Sequence, residues 1–251
     1  MNLVTIIIPF YQKRKFFSKT INSILNQSYK KFEIIVIYDD KNKKDLDFLK
    51  NFKNKKIKII INKKNLGVGR SRNKGIKITK TKYIAFCDAD DIWQKHKLKK
   101  QIYFMEKMKA DFSHTDYNII DDEDKIIGKM KIKKKMLYSE LLKSCDIGLS
   151  TVIVKTEILK KNLFNSLKTK EDYALWLKLL RNGVKVSGIN KSLSSWRKSP
   201  FSLSSNTKQK IFDAFKLYYF YEKFNLFFSI YLTLRLSIFY FVKRFQQKKD
   251  L

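Results

Sequence analysis

Cysteine, histidine and glycine are all scarce in this chain of 251 residues, with two, two and seven of each. Cys87 and Cys145 cannot build a disulfide framework, and neither has the paired spacing of a zinc site or a redox motif. That usage fits a reducing cytoplasm. His96 and His114 sit in no ligand-like cluster and read as structural or solvated side chains. No glycine- or serine-rich linker and no internal repeat divides the chain. The opening MNLVTIIIPF holds an apolar run too short for a secretory signal and lacks the basic leader and small-residue cleavage site, so it reads as a first strand. Acidic residues are also few, 23 against 55 basic, which leaves a formal charge of +32. A charge of that size attracts polyanions. Yet 48 of the basic residues are Lys, spread along the chain beside abundant Ile, Asn and Phe, the pattern of an AT-rich codon usage. A solvated surface, a membrane surface and nucleic acid all remain open as readings of the charge. Nucleic acid is not the expected partner, because no helix-turn-helix, zinc finger or single-strand aromatic motif accompanies it.

What is present is enough for one well-buried α/β core with an appendage: 44% of residues are hydrophobic and 31% charged. The β-branched run from Leu3 to Ile8 ends at Pro9, as a buried parallel strand does when it opens into a loop. Phe17, Ile21, Ile24 and Leu25 then follow at helical spacing, and a second strand runs from Phe32 to Ile37. Another lap places a helix around Leu46 to Phe52, a strand over Ile57 to Ile61, a helix from Gly67 to Ile78 and a strand over Tyr83 to Cys87. Alternation of this kind implies a mostly parallel sheet flanked by helices. Beyond it the texture changes. Ile92 to Met108 reads as one helix, Phe112 to Ile120 as extended, and helices are expected near Leu137, Glu157 and Asp172. Residues 1–118 are read as a nucleotide-binding half, 119–205 as the acceptor half of the same domain, and 206–251 as a C-terminal aromatic and basic helical segment.

In such sheets ligands bind at the carboxyl ends of strands, so the polar residues that close each apolar run carry the chemistry. Three ends qualify: Pro9-Phe10-Tyr11, Tyr38-Asp39-Asp40, and Asp88-Ala89-Asp90-Asp91. In an extended segment Asp88 and Asp90 share a face while Asp91 points elsewhere. Hard oxygen ligands of this kind suit Mg²⁺ or Mn²⁺, which take one or two carboxylates and complete their shell with water and phosphate oxygens. Asn65-Leu66-Gly67-Val68-Gly69 lacks both the Rossmann spacing and the Gly-Lys-Ser/Thr of a P-loop.

Five segments, IIIPFYQK, EIIVIYDD from Glu33, NLGVGRSRNKGI from Asn65, FCDADDIW from Phe86 and KEDYALWLKLL from Lys170, resemble glycosyltransferase family 2 in order and spacing, over roughly residues 3 to 205. The resemblance implies a GT-A (Rossmann-like) fold and an inverting transfer of sugar from a nucleotide diphosphate to an acceptor hydroxyl. Carried over by position, Pro9 and Tyr11 line the base pocket, Asp39 accepts from the base, and Arg72 contacts phosphate or base. Asp88 joins them in holding the nucleotide sugar, and Asp90 binds Mn²⁺ or Mg²⁺. Asp172 is the catalytic base, with Glu171 and Trp176 on the acceptor side or supporting it. Arg197 is expected to clamp phosphate oxygens, with Ser202 and Ser204 in a loop that closes over the diphosphate. Where the family often has Asp-Asp-Gly-Ser, this chain reads Tyr38-Asp39-Asp40-Lys41. That departure leaves the base open, with a UDP-sugar expected, and keeps a catalytically degenerate scaffold as the rival reading.

From Phe224 to Val242 the chain is almost wholly apolar and aromatic, interrupted by Arg235 and closed by Lys243, Arg244, Lys248 and Lys249. Arg at the centre of a bilayer costs about 2.5 kcal/mol or more, whereas flanking cations suit an anionic surface. An interfacial helix, a helix packed on its own domain or on a second copy, and a true span are the three readings. The first, peripheral contact through 224–249, leads to the expected setting: the inner face of the plasma membrane, a glycan or lipid-linked acceptor, and surface polysaccharide synthesis.

Overall fold

The computed structural model describes residues 2–199 and 205–249, with the side chains of the final helix to Phe239. The first half alternates as expected: β1 (Val4–Phe10), α1 (Arg14–Leu25), β2 (Phe32–Tyr38), α2 (Leu46–Lys50), β3 (Ile57–Ile61), α3 (Val68–Ile78) and β4 (Tyr83–Phe86). β3, β2, β1 and β4 pair in that order, all parallel. Both faces of β1, β2 and β4 are covered, which is why they read as unbroken apolar runs, while the edge strand β3 stays partly exposed.

Two cores result, one on each face, and the two-residue period of the strands assigns side chains to them. Ile6, Ile8 and Phe10 of β1, Val36 and Tyr38 of β2, and Ala85 of β4 pack on one side with Phe17, Ile21 and Leu98. Ile7, Ile37 and Phe86 pack on the other with Ile76, Leu175 and Trp176. Extending the same alternation by two residues puts Pro9, Asp39 and Asp88 on that second side, at the carboxyl ends of three adjacent strands. This placement, which needs nothing beyond strand geometry, is what founds the site.

The second half is mixed. β5 (Ile92–Trp93), α4 (Lys97–Met108), β6 (Phe112–Ile120), β7 (Ile126–Met130), α5 (Tyr138–Leu141), a 3₁₀ turn (Leu149–Thr151), β8 (Ile153–Lys155), α6 (Thr156–Lys161), α7 (Glu171–Arg181) and β9 (Val186–Arg197) follow in order. β8 joins β4 to β6 by antiparallel pairing, β9 runs parallel to β6, and β5 and β7 close the edges antiparallel. The single helix expected over Ile92 to Met108 is corrected here. Ile92 and Trp93 pair with Ser195 and Ser194 of β9, and the Trp93 indole N–H donates to the Ser150 carbonyl at 3.0 Å, so tertiary pairing overrides the local helical pattern. Residue 118 falls within β6.

Beyond the cleft, α8 (Thr207–Lys216), a π-turn (Leu217–Tyr221) and α9 (Leu226–Lys249) form a hairpin. Leu217, Tyr218, Leu232 and Leu236 are buried in the second core, so one face of the hairpin packs on the domain. Phe227 is 83% exposed and Tyr231 and Ile238 at least half exposed on another. Among the described residues no helix is long and apolar enough to cross a membrane.

His114 is fully buried on β6, and burial pushes its imidazole down to about 4, so it packs as a neutral ring. Gly188 lies against it where a Cβ would come 2.3 Å from Ile132 Cδ1 and 2.5 Å from the Lys133 carbonyl oxygen. Backbone cannot yield as a side chain can. Gly188→Ala is therefore expected to lower unfolding free energy by about 1–3 kcal/mol, read as a lower urea midpoint at unchanged slope.

Candidate active site

The carboxyl ends of β1, β2 and β4 open into a cleft of about 1490 Å³, lined by Pro9, Tyr11, Asp39, Arg72, Asp88, Asp90 and Asp172 among others. Each arrives there by a different local device.

Asp39 follows β2 and is buried. Its Oδ1 accepts from Asn62 Nδ2 and Leu66 N–H, both at 2.8 Å, and its Oδ2 from Gly67 N–H at 2.9 Å. These bonds wrap the Asn65–Gly67 loop around the carboxylate. Gly67 has φ +82° at the N-terminus of α3, a conformation that excludes most side chains. A carboxylate can accept about four hydrogen bonds, so Asp39 keeps capacity toward the cleft that Pro9 and the half-exposed Tyr11 also line. Asn62 further bonds Ser71 Oγ at 2.9 Å, tying the loop to α3.

Arg72 lies one turn into α3 and is 3% exposed. It is no surface residue. Its Nη2 meets Asp88 Oδ1 at 2.7 Å, and its Nη1 meets Glu171 Oε1 at 2.6 Å. Burial works against its charge, but Asp88, Glu171 and Asp172 outweigh it and the guanidinium pKa rises. The neighbouring Asn73 clamps Phe164 in both directions, donating to its carbonyl at 2.8 Å and accepting from its N–H at 2.9 Å. The segment Ser71-Arg72-Asn73 thus fastens three separate parts of the chain.

After β4 the chain does not stay extended. Ala89 and Asp90 form a turn closed by Asp91 N–H donating to the Asp88 carbonyl at 3.1 Å. The face-sharing expected of an extended Asp-x-Asp is corrected accordingly; the turn brings both carboxylates to the cleft. Asp88 stays about one third exposed, while Asp90 is more deeply placed and meets Lys13 Nζ at 2.6 Å. Asp91 is buried beneath, accepting from Ser150 Oγ–H and from Arg197 N–H at 2.9 Å. Ser150 Oγ also accepts from Asp88 N–H at 3.0 Å. Burial pushes Asp90 and Asp91 up, Asp91 well above its ordinary range.

Glu171 and Asp172 open α7, directly after Lys170 at φ +65°. Such a conformation in a non-glycine residue is costly and recurs at functional sites. Glu171 is buried against Arg72. Burial first, and then the charge of Asp172, push it up to about 7 despite that arginine. Asp172 is half-buried, accepts from Tyr173 N–H at 2.7 Å, and lines the cleft. Its carboxyl is pushed up by burial, against the pull of Arg72.

Two expected site residues have other partners: Trp176 is absent from the cleft lining, and Arg197 borders the cleft but directs its donors into the protein. Trp176 is fully buried, its ring 4.8 Å from Phe112 and 6.2 Å from Phe164, and serves the core rather than the acceptor side. Arg197, the expected phosphate clamp, is 1% exposed and spends its donors on protein: Nε on the Asp90 carbonyl at 2.9 Å, Nη1 on the Asp121 carbonyl and Nη2 on Asp124. Its guanidinium lies over Phe16 at 4.5 Å. It holds the acidic turn from behind. Ser202 and Ser204 lie outside the described residues. Lys13 and Ser150 were not foreseen; position after the first strand could have flagged Lys13, but nothing in the sequence marks Ser150.

Asp88 and Asp90 supply hard oxygen donors beside the cleft, and among the described residues no group of three or more His, Cys, Asp or Glu converges into a closed cage. An open pair suits Mg²⁺ or Mn²⁺ sharing its shell with phosphate oxygens and water. Lys13 already brings one positive charge to Asp90 on the cleft side of the turn.

Against known proteins, the family model described as "Glycosyl transferase family 2" matches residues 5–167, a span that ends before Glu171. Over 207 residues, 82% of this chain and 81% of the relative, the chain is 37% identical to the UDP-Glc:alpha-D-GlcNAc-diphosphoundecaprenol beta-1,3-glucosyltransferase WfaP of Escherichia coli. It is 36% identical to the E. coli enzyme of the same description, WfgD, over 81% of this chain and 80% of that one. Among solved structures, S. aureus TarS 1-349 in complex with UDP-GlcNAc superposes with TM-score 0.69 at 19% identity, covering 92% of this chain and 70% of that chain. The mannosyltransferase PcManGT from Pyrobaculum calidifontis in complex with GDP-Man and Mn²⁺ gives 0.67 at 12%, covering 91% and 69%. These two likenesses carry the GT-A fold.

Arg72 is the point at which the site is most exposed to test. Arg72→Met leaves Asp88 and Glu171 unneutralised, and a broken buried pair costs about 3–5 kcal/mol. Arg72 holds the Glu171 pKa down against burial, so in the variant that carboxyl rises further; as pH falls from 8 to 6 the folded variant gains more from proton uptake than the folded parent does, and part of the loss should be recovered. Chemical denaturation at both pH values reads this; equal losses would show that Arg72 does not act by neutralising charge.

Proposed function

Since the chain belongs to glycosyl transferase family 2, and is a glycosyltransferase, we propose that it moves a sugar from a UDP-sugar to a hydroxyl of a lipid-linked glycan, with inversion, in bacterial surface polysaccharide synthesis. The observation that carries this reading is the convergence of Asp88, Asp90 and Asp172, from two distant stretches of sequence, on one cleft whose acids are tied together by Arg72.

In this mechanism Pro9 and Tyr11 form the walls of the base site, and the remaining acceptor capacity of Asp39 meets a base N–H. Asp88 and Asp90 would hold Mn²⁺ or Mg²⁺, which when bound supplies Lewis-acid stabilisation of the charge growing on the leaving diphosphate. Asp172 takes the proton of the attacking hydroxyl as that oxygen bonds to the anomeric carbon and the carbon–phosphate oxygen bond breaks, its electron pair leaving with UDP. The base stands on the start of α7, so the half-burial that raises its pKa also strengthens it for this task. Arg72, fixed between Asp88 and Glu171, keeps the donor-side and acceptor-side acids at constant separation, which is the geometric condition for in-line attack. Arg197 and Ser150 act one layer further back by holding the turn. WfaP, as named, takes UDP-Glc and a diphosphoundecaprenol-linked sugar, and this supports the donor and acceptor class. The exposed Phe227, Tyr231 and Ile238 of α9, with the cationic sequence beyond them, support contact with the inner membrane surface through 224–249.

A screen of nucleotide sugars with Mn²⁺ and a sugar-diphosphate-lipid acceptor, reading release of nucleotide diphosphate, tests the proposal. Asp90→Asn and Asp172→Asn should each lower turnover at least about 10²-fold; unaltered turnover in either, or none in the parent protein with any donor, would end it. With Asp172 as base, activity should fall as pH drops, and the raised carboxyl places that limb above the ordinary aspartate range of about 3.9. A plot of log kcat/KM against pH that stays flat through this region would remove Asp172 from the role.

A further inference from the structure

The C-terminal hairpin does more than pack on the domain. Its inner surface forms part of the cleft, through Ile211, Ala214, Leu236 and Phe239. It is also fastened to the chain that leads into α7: Thr169 donates through both N–H and Oγ1–H to Asp213 of α8, each at 2.8 Å, and Asp213 is 2% exposed. The loop before the catalytic pair is thus anchored on α8.

On its other side the hairpin carries a second, smaller groove of about 480 Å³ between α8 and α9. Lys208, Ile211, Phe212 and Phe215 supply one wall, at the spacing that keeps residues on one helix face. Ile230, Thr233 and Leu234 supply the other. Phe212 and Leu234 are each more than half exposed. Ile211 lines both this groove and the cleft, so a single side chain stands between the two.

We infer that this groove receives the apolar chain of a lipid-linked diphosphate acceptor, of polyprenyl type, while the sugar it carries enters the cleft past Ile211. The inference rests on the lipid-linked acceptor proposed above. Three features select this occupant. The walls are aliphatic and aromatic apart from Thr233 and Lys208, which suits a long hydrocarbon and gives the many hydroxyls of a second glycan few hydrogen-bond partners. Lys208, with an apolar stem in the groove and an ammonium at its end, matches a chain that terminates in a diphosphate. The groove also adjoins the exposed stripe of Phe227, Tyr231 and Ile238, so a lipid leaving the bilayer passes from that stripe into the groove without exposing its chain to water.

Phe212→Ser and Leu234→Ser change exposed side chains, so the fold should persist. Initial rates are compared for two acceptors with the same sugar diphosphate, one on a full-length polyprenyl chain in detergent micelles and one on a short soluble alkyl chain. Each variant should raise KM for the polyprenyl acceptor about ten-fold or more, with the short acceptor unaffected. Direct titration with a fluorescent polyprenyl diphosphate, which needs no turnover, should show the same weakening. Equal KM values for parent and variants on the long acceptor, or unchanged probe affinity, would overturn the inference. So would a loss of binding to anionic vesicles, free of acceptor, that matches the loss caused by Phe227→Ser, because the groove would then be only membrane-facing surface. Absence of transfer to either acceptor by the parent protein would instead count against the proposed function, and the probe titration would still decide the groove.

Discussion

A guanidinium buried between two carboxylates holds this active site together. Arg72 reaches Asp88 at the end of β4 and Glu171 at the start of α7, and the surrounding protein leaves it 3% exposed. Three acids, Asp88, Glu171 and Asp172, cannot stand together in a poorly solvated cleft unless a fixed positive charge offsets their repulsion. The arginine meets that condition and sets the geometry, since its planar fork directs one nitrogen to each side. The turn after β4 and the start of α7, 83 residues apart by number from Asp88 to Glu171, are thereby locked into one frame.

Behind that frame lies a second layer of buried polar contacts that fixes the turn carrying Asp88 and Asp90. Asp91 accepts from Ser150 and from Arg197, and each of these also bonds the backbone of the Asp88–Asp91 turn. With Asp91 as the buried anchor, Asp88 and Asp90 can present their oxygens to the cleft. Division of labour between adjacent aspartates follows from the turn itself, which places one inward and two outward. The Lys13 contact to Asp90 adds a positive charge on the cleft side of the same turn.

Much of this was legible in the chain. Parallel strands buried on both faces announce themselves as continuous apolar runs, and the two-residue alternation along β1, β2 and β4 already sends Pro9, Asp39 and Asp88 to one side. Arg72, Asp90 and Asp172 were named from the five segments that resemble the family, and all three line the cleft. What failed was reading the direction of a side chain from its type. Trp176 follows Glu171 and Asp172 by one helical turn, yet Phe112 and Phe164 are packed against it, and no local signal gives those partners. The resemblance puts Arg197 at the phosphate by position, yet its donors are claimed by the carbonyls of Asp90 and Asp121 and by the Asp124 carboxylate, from segments far off in sequence. Ile92 and Trp93 continue a helical pattern but are captured by β9.

The sequence by itself therefore determined the alternating strand and helix order, the strand ends at which the acids stand, and the family. Those follow from periodicity and residue chemistry, which are local. Only the tertiary structure decided which charges neutralise one another, which arginine bridges acids and which props up a turn, and that the C-terminal hairpin packs against the cleft. Such assignments depend on distances between segments, and desolvation couples each buried charge to whatever partner the completed fold brings within reach.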